Sequence, residues 1–197
     1  SRPLITVSDG VANDLRTKMG LDNPPMRRIY NPFHFATIRE MARQPAPGRP
    51  EGRYVIHVGR FTPQKRHDLL LAAWSLLSTD RQLVLLTAPH PDLEAMITAA
   101  GLEKRVVVAG FQANPYPWMA GADLLVLCSD HEGMPNVLVE ALLCGTPVLS
   151  TDVPSGPREI LGRDLPQCLV VHGKATALAQ AMEQLLLTPP DPASVDL

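Results

Sequence analysis

The chain lacks most of the features that would place a sequence of 197 residues at a glance. It has three cysteines, Cys128, Cys144 and Cys168, all in apolar surroundings. An odd number in such settings reads as reduced core residues, not as a disulfide framework or a metal site. No apolar run approaches the ~20 residues that span a bilayer, and no secretory leader is visible. The expectation is a cytoplasmic protein, with Ser1 a cut inside a longer one. Net charge is nearly absent, at −2, which argues against a nucleic-acid partner. No Gly-x-Gly-x-x-Gly follows a strand-like run, which disfavours a dehydrogenase. There is no Asp-x-Asp and no His/Asp cluster at ligand spacing, so neither metal nor cofactor is expected.

Charge is scarce overall but unevenly spread. Residues 1–53 carry nine Lys/Arg against five Asp/Glu, whereas the remainder carries nine against fifteen. The basic end could face an anionic membrane or a lipid-phosphate acceptor, and the blander reading is a solvated surface with local bias.

What is present is alternation. From Arg53 onward, apolar runs alternate with helical patterns. Strands are expected at Tyr54–Val58, Gln82–Leu86, Val106–Ala109, Asp123–Leu127, Pro147–Ser150 and Cys168–Val171. Helices are expected at His67–Leu77, Pro91–Ala100, Tyr116–Ala120, Val137–Cys144, Pro157–Leu161 and Thr176–Leu187. Short continuous apolar strands suit a sheet covered on both faces. The pattern predicts an α/β fold with a Rossmann-like, doubly wound parallel sheet. Before it, Leu4–Val7 and Arg28–Tyr30 read as short strands. Between them Ser8 or Asp9 can cap a helix that stops at Gly20. Residues 42–52, rich in Pro and Gly, read as a linker between a unit at 1–41 and a domain at 53–188. The tail at 189–197 is expected to be disordered.

The chemistry concentrates in Ser129–Pro147. Glu140 is the one polar residue in Val137–Leu143, and a carboxylate buried there needs a partner. Glu132 lies eight positions earlier, between a strand-like run and a helix start, where parallel α/β sheets bind ligands. Pro135 or Asn136 opens that helix, and its free N–H groups form an anion site. Arg60 and Lys65, just past the first strand of the domain, could neutralise charge on a departing phosphate. The bland alternatives are loop charges in water for Arg60, Lys65 and Glu132. For Glu140 the alternative is a buried partner of Arg60, Lys65 or Arg158. Phe111 follows a strand and could pack on a base, although a core position is the commoner case. His34, His57 and His131 have no partners at readable spacing.

These elements together resemble the retaining nucleotide-sugar glycosyltransferases of family four, which have the GT-B fold. Val58-Gly59-Arg60-Phe61 with Gln64-Lys65 resembles the family's Gly-Arg…Lys element, and Val108-Ala109-Gly110-Phe111 the strand end facing the donor's base. Ser129–Pro147 carries the Glu-x7-Glu signature, and Asp152–Leu161 resembles the segment that follows it. The likeness runs from Ser8 to about Leu187. It implies a small remnant of the N-terminal acceptor domain at 1–41, ahead of a donor-binding domain. It implies catalytic roles for Glu132, Arg60 and Lys65. Donor contacts are implied for Glu140, Gly59, Gly133, Met134, Pro135, Asn136, Val137 and Phe111, with Glu132 on the transferred sugar and Glu140 on the ribose. A carboxylate accepts only, so each could grip a diol. The implied activity is hexosyl transfer from a UDP-hexose or UDP-N-acetylhexosamine, retaining and metal-independent. The acceptor would be a glycan or a lipid-linked acceptor of surface polysaccharide synthesis, at the inner face of the membrane. Two features depart from the family. Thr87-Ala88-Pro89-His90 stands where a glycine pair is usual, and the chain has room for only one Rossmann-like domain. A GT-B-type nucleotide-sugar epimerase and a non-catalytic nucleotide-binding module are the alternatives.

Overall fold

A computed structural model describes residues 2–197. The chain opens with β1 (Leu4–Thr6), α1 (Asp9–Met19) and β2 (Met26–Arg28), followed by α2 (Phe35–Met41). Then come β3 (Tyr54–Val58), α3 (His67–Ser75), β4 (Gln82–Leu86), α4 (Pro91–Ala99) and β5 (Val106–Val108). The second half holds α5 (Tyr116–Ala120), β6 (Leu124–Leu127), α6 (Asn136–Leu143), β7 (Val148–Thr151), α7 (Gly156–Leu161), β8 (Leu169–Val170) and α8 (Ala175–Leu187).

Six strands form one parallel sheet in the order β5-β4-β3-β6-β7-β8. The order reverses between β3 and β6, so the loops after these two strands flank the crevice where such sheets bind ligands. The apolar runs become strands because helices cover both faces. Val55, Ile56, Leu83, Val84, Leu85, Leu124, Leu125 and Val126 are completely buried.

The other sheet is β1 paired with β2, also parallel, with Leu4 opposite Met26. Ser8 caps α1 by accepting from the Val11 N–H at 3.1 Å. Gly20 ends it in the left-handed region, at φ 64°, where a side chain is disfavoured. The second strand lies at Met26–Arg28, earlier than the expected Arg28–Tyr30, and leaves Ile29 and Tyr30 exposed.

One helix lies where none was expected, and the tail departs from its expectation. The sequence shows no signal for α2, which has no side-chain cap and only one buried residue, Ile38. It forms because Ile38 enters the core of the larger sheet and Asn114 donates to the Met41 carbonyl at 3.0 Å. The tail is ordered, not disordered. Asp191 caps a 3-10 turn at Pro192–Ser194, and Val195 packs into the core at 9 % exposure. Among the described residues no helix is long and apolar enough to cross a membrane.

Candidate functional site

The loop after β3 and the loop after β6 are strapped together across the switch point. The first makes a 3-10 turn at Pro63–Lys65 and places Arg66 in the left-handed region, at φ 52°. The Gln64 side-chain amide donates to the His131 carbonyl at 2.7 Å, and the Gln64 carbonyl accepts from the Asp130 N–H at 2.9 Å. Arg66 donates to Asp130 at 2.7 Å and to both oxygens of Asp68, while His172 lies 2.7 Å from the same Asp130 oxygen. Burial acts to raise the Asp130 carboxyl, but the bonds from Arg66 and His172 outweigh it and hold the group below its ordinary range.

Inside this frame Lys65 meets Glu132. Nζ donates to Oε1 at 2.6 Å, with side-chain exposures of 19 % and 10 %. Glu132 is therefore no loop acid free in water, and Lys65 is no free loop cation. An ammonium has three donors, so this bond leaves Lys65 two for an anion in the crevice. Gly59 sits where a Cβ would come within 3.3 Å of His57 Nε2 and 3.5 Å of the Lys65 side chain. The glycine keeps room for the lysine's approach.

Beneath the lysine, His57 is fully buried in the central strand. Its Nδ1 lies 2.9 Å from the Val126 carbonyl. A carbonyl only accepts, so Nδ1 carries the proton and Nε2 is a bare acceptor. Burial, with help from neighbouring His67, pushes the His57 pKa down to about 3. Burial likewise lowers His67 to about 4. The two rings pack edge-on at 4.7 Å, and Phe61 continues the row to His90.

Residues 134–136 lead into α6. Pro135 takes the cap position and Asn136 the first helical one, with no side chain capping the first turn. The open N–H groups and the positive end of the dipole face the switch point, which suits an anion. Asn136 accepts from the Asn31 amide at 2.7 Å. Met134 lines a separate apolar hollow with Phe33 and Ile160, and Val137 is half-buried. Gly133 lies under α1, where a Cβ would stand 3.5 Å from Val11 and 3.7 Å from Val7.

Glu140 is apart from the Lys65–Glu132 pair. It is half-buried one turn into α6, beside Tyr116 and Cys144. Desolvation pushes its carboxyl up, against the opposing pull of the Tyr116 hydroxyl. The reading of Glu140 as a partner of Arg60, Lys65 or Arg158 does not hold. Lys65 pairs with Glu132, Arg158 with Asp152, and Arg60 makes no ion pair among the described residues.

Arg60 and Gly59 line a cavity of about 480 Å³ at the ends of β3 and β4, with Phe61, Thr62, Thr87, His90 and Phe111. Phe111 is 83 % exposed, so the commoner core position is not the one it takes. Thr87 stands at 3 % exposure with a hydroxyl that finds no partner among the described residues. A second hollow, of about 540 Å³, is lined by α1, the loop Asp130–Gly133, Pro154 and Ser155. Arg66, Asp130 and His172 escaped the sequence reading, as did the contacts of Gln64, because polar loop residues without regular spacing carry no signal of their mutual contacts.

The arrangement agrees with what comparison finds. A family model described as "Glycosyl transferases group 1" matches residues 52–188. An N-acetylgalactosamine-N,N'-diacetylbacillosaminyl-diphospho-undecaprenol 4-alpha-N-acetylgalactosaminyltransferase from Campylobacter jejuni is 32 % identical over 181 residues, covering 91 % of this chain and 49 % of its own. The lipopolysaccharide 1,6-galactosyltransferase of Salmonella typhimurium is 27 % identical, covering 80 % and 45 %. The crystal structure of Anabaena HepE with UDP and glucose superposes with a TM-score of 0.80 at 25 % identity, covering 94 % of this chain and 54 % of that one. The chain thus spans about half the length of the relatives it matches.

Proposed function

The chain belongs to the group 1 glycosyltransferases, with their GT-B fold, and on that premise we propose that it is the donor-binding half of a sugar transferase using a UDP-hexose or UDP-N-acetylhexosamine. One observation carries the reading. The Lys65–Glu132 pair is held at 2.6 Å in the switch-point crevice, beside the uncapped start of α6. A cation and a set of free N–H groups there serve a diphosphate, and an adjoining carboxylate serves sugar hydroxyls. Arg60 and Phe111 line the cavity after β3 and β4, which supports giving them the outer phosphate and the base. Glu140, with its carboxyl raised by burial, is the ribose contact.

In this reading the anomeric C–O bond to the diphosphate breaks while an acceptor oxygen bonds the same face of the sugar. The acceptor's proton passes to the leaving phosphate oxygen, so configuration is retained. Lys65, Arg60 and the α6 N–H groups stabilise the growing negative charge where a metal would otherwise do so. The named activities of the relatives are transfers, two of them to lipopolysaccharide or a diphospho-undecaprenol carrier. They favour a lipid-linked or glycan acceptor, and transfer over epimerisation. Aligning acceptor and donor can supply roughly 7–11 kcal/mol of the barrier, and residues 2–30 offer only a helix and two strands toward that alignment. The chain alone therefore binds donor without turnover.

Titration calorimetry with UDP, with and without EDTA, tests the reading. Binding that survives the chelator is expected. A strict requirement for Mg²⁺ or Mn²⁺ overturns the metal-independent form, and no binding under either condition overturns the donor site itself.

A further inference from the structure

The Glu132 loop does not stand alone. Its carbonyl at Gly133 accepts from the Gly156 N–H at 3.2 Å, at the start of α7. A Cβ on Gly156 would lie 2.3 Å from Pro135 Cδ and 2.8 Å from the Gly133 carbonyl oxygen. The first turn of α7 is thus in backbone contact with the loop. On its other side α7 meets α1. Glu159 accepts from the backbone N–H groups of Asp9 at 3.0 Å and Gly10 at 2.9 Å, and the Tyr30 hydroxyl reaches it at 3.3 Å. A Cβ on Gly10 would come within 2.4 Å of the Ser155 side chain. Ser155 itself holds φ 93°, a backbone region that L residues rarely adopt. α1 closes the circuit: a Cβ on Gly133 would stand 3.5 Å from its Val11 and 3.7 Å from Val7, just before the helix.

From this geometry we propose that Glu159 is a positioning residue: by clasping the first turn of α1 it presses Val7 and Val11 onto Gly133 and so fixes the sugar-facing aim of Glu132. The proposal rests on the reading of Glu132 as the sugar contact. Ser8 satisfies the Val11 N–H, and Glu159 satisfies Asp9 and Gly10, so the start of α1 is completed by a residue about 150 positions away. A carboxylate at a helix start also meets the positive end of the dipole. Glutamine at 159 keeps one acceptor but turns an N–H toward an N–H and removes the charge.

The test is Glu159→Gln in the full chain, with Glu183→Gln, exposed on α8, as control. Two quantities are read: hydrogen exchange of the Asp9–Val11 amides, and the ratio of affinities for UDP-glucose and UDP. Losing a charge-assisted bond should speed exchange at these amides roughly 10- to 100-fold, with the strands β3–β7 unchanged. The affinity ratio should fall toward that of Glu132→Gln, while UDP affinity stays. Gly10→Ala, which wedges α1 against Ser155 while residue 159 stays glutamate, should reproduce both effects and serves if Glu159→Gln does not fold. Unchanged exchange overturns the clasp. Faster exchange with an unchanged ratio overturns the positioning role and leaves a structural clamp. If the unaltered chain binds neither ligand, the donor-site reading fails and the positioning role with it, while exchange still decides the clasp.

Discussion

The described residues form two parallel sheets, and they are held by different forces. In the larger one, β3, β4 and β6 lie under helices, with residues such as Val84 and Leu125 completely buried. In the smaller, β1 leaves Leu4 36 % and Ile5 54 % exposed, and Ile29, just past β2, is 48 % exposed. Only Thr6, Ser8 and Ala12 are buried in residues 2–30. An isolated pair of strands is marginal in water. What holds this one is a cap at Ser8, the Glu159 clasp and the Asn31–Asn136 bond. Apolar area secures the six-stranded half; a few directed polar bonds secure the small unit beside it. Local opening should follow the same division.

The largest test of that contrast is to delete buried mass. Leu125→Ala, at the centre of the large sheet, should cost about 2–5 kcal/mol of stability. Ile5→Ala on β1 should cost under about 0.5 kcal/mol in the same urea titration. Comparable losses at both positions would show that the small sheet has a core of its own.

The same division explains what could be read from the sequence. β3 and β4 were legible to the residue, because Tyr54–Val58 and Gln82–Leu86 are mostly apolar runs, broken only by His57 and opened by Gln82, and are ended by turn residues. β2 was displaced by two residues, since Asn31-Pro32 marks that a strand must end without saying how far back. α2 and the Val195 turn escaped because each rests on one apolar residue entering a remote core. At the site, Glu132 and Lys65 were each visible as chemistry, yet their bond was not. Sixty-seven positions separate them, and no local periodicity encodes a contact across the switch point. Glu159 was visible only as part of a segment that resembles the family.

Within the larger unit, the two acids of the Glu-x7-Glu run are distinguished by surroundings: Glu132 is paired with Lys65, Glu140 is beside the Tyr116 phenol and the Cys144 thiol. Removing one charge-assisted hydrogen bond costs roughly 1.5–3 kcal/mol. Glu140→Gln should therefore weaken UDP binding by about that amount in calorimetry. Glu132→Gln should spare UDP and weaken UDP-glucose. Equal loss of UDP in both variants would dissolve the division of labour between loop and helix.

Acid should strain the large sheet and not the small one. His57 and His67 have folded pKa values lowered to about 3 and about 4. Above pH 6.5 both folded and unfolded imidazoles are neutral, and these residues add no pH dependence. Below 6.5 the unfolded chain takes up protons that the folded chain refuses, so stability falls with pH until the folded values are reached. The slope is bounded by ~1.4 kcal/mol per residue per pH unit. Chemical denaturation at pH 7 and 5 should show this loss, and His57→Gln with His67→Gln should flatten it. An equal slope in the double variant would place the acid sensitivity elsewhere.

The smallest effect belongs to the surface of α1. Asp14 and Lys18 form an i,i+4 pair at 2.9 Å with side chains 46 % and 72 % exposed. The acid precedes the base, the better orientation on a helix, but water and salt screen the pair. Lys18→Ala should lower the opening free energy of α1 by about 0.3–0.5 kcal/mol at low salt and by less at high salt. Hydrogen exchange on α1 at two ionic strengths can resolve this, and it ranks the contacts of the small unit. If Lys18→Ala loosens α1 as much as Glu159→Gln does, the helix is held by its own surface charges and not by its clasp to α7. If the change is several-fold smaller and vanishes with salt, the polar bonds that matter are those that cross to the large sheet, where the partner is fixed and half-buried and its ordering is already imposed by the fold.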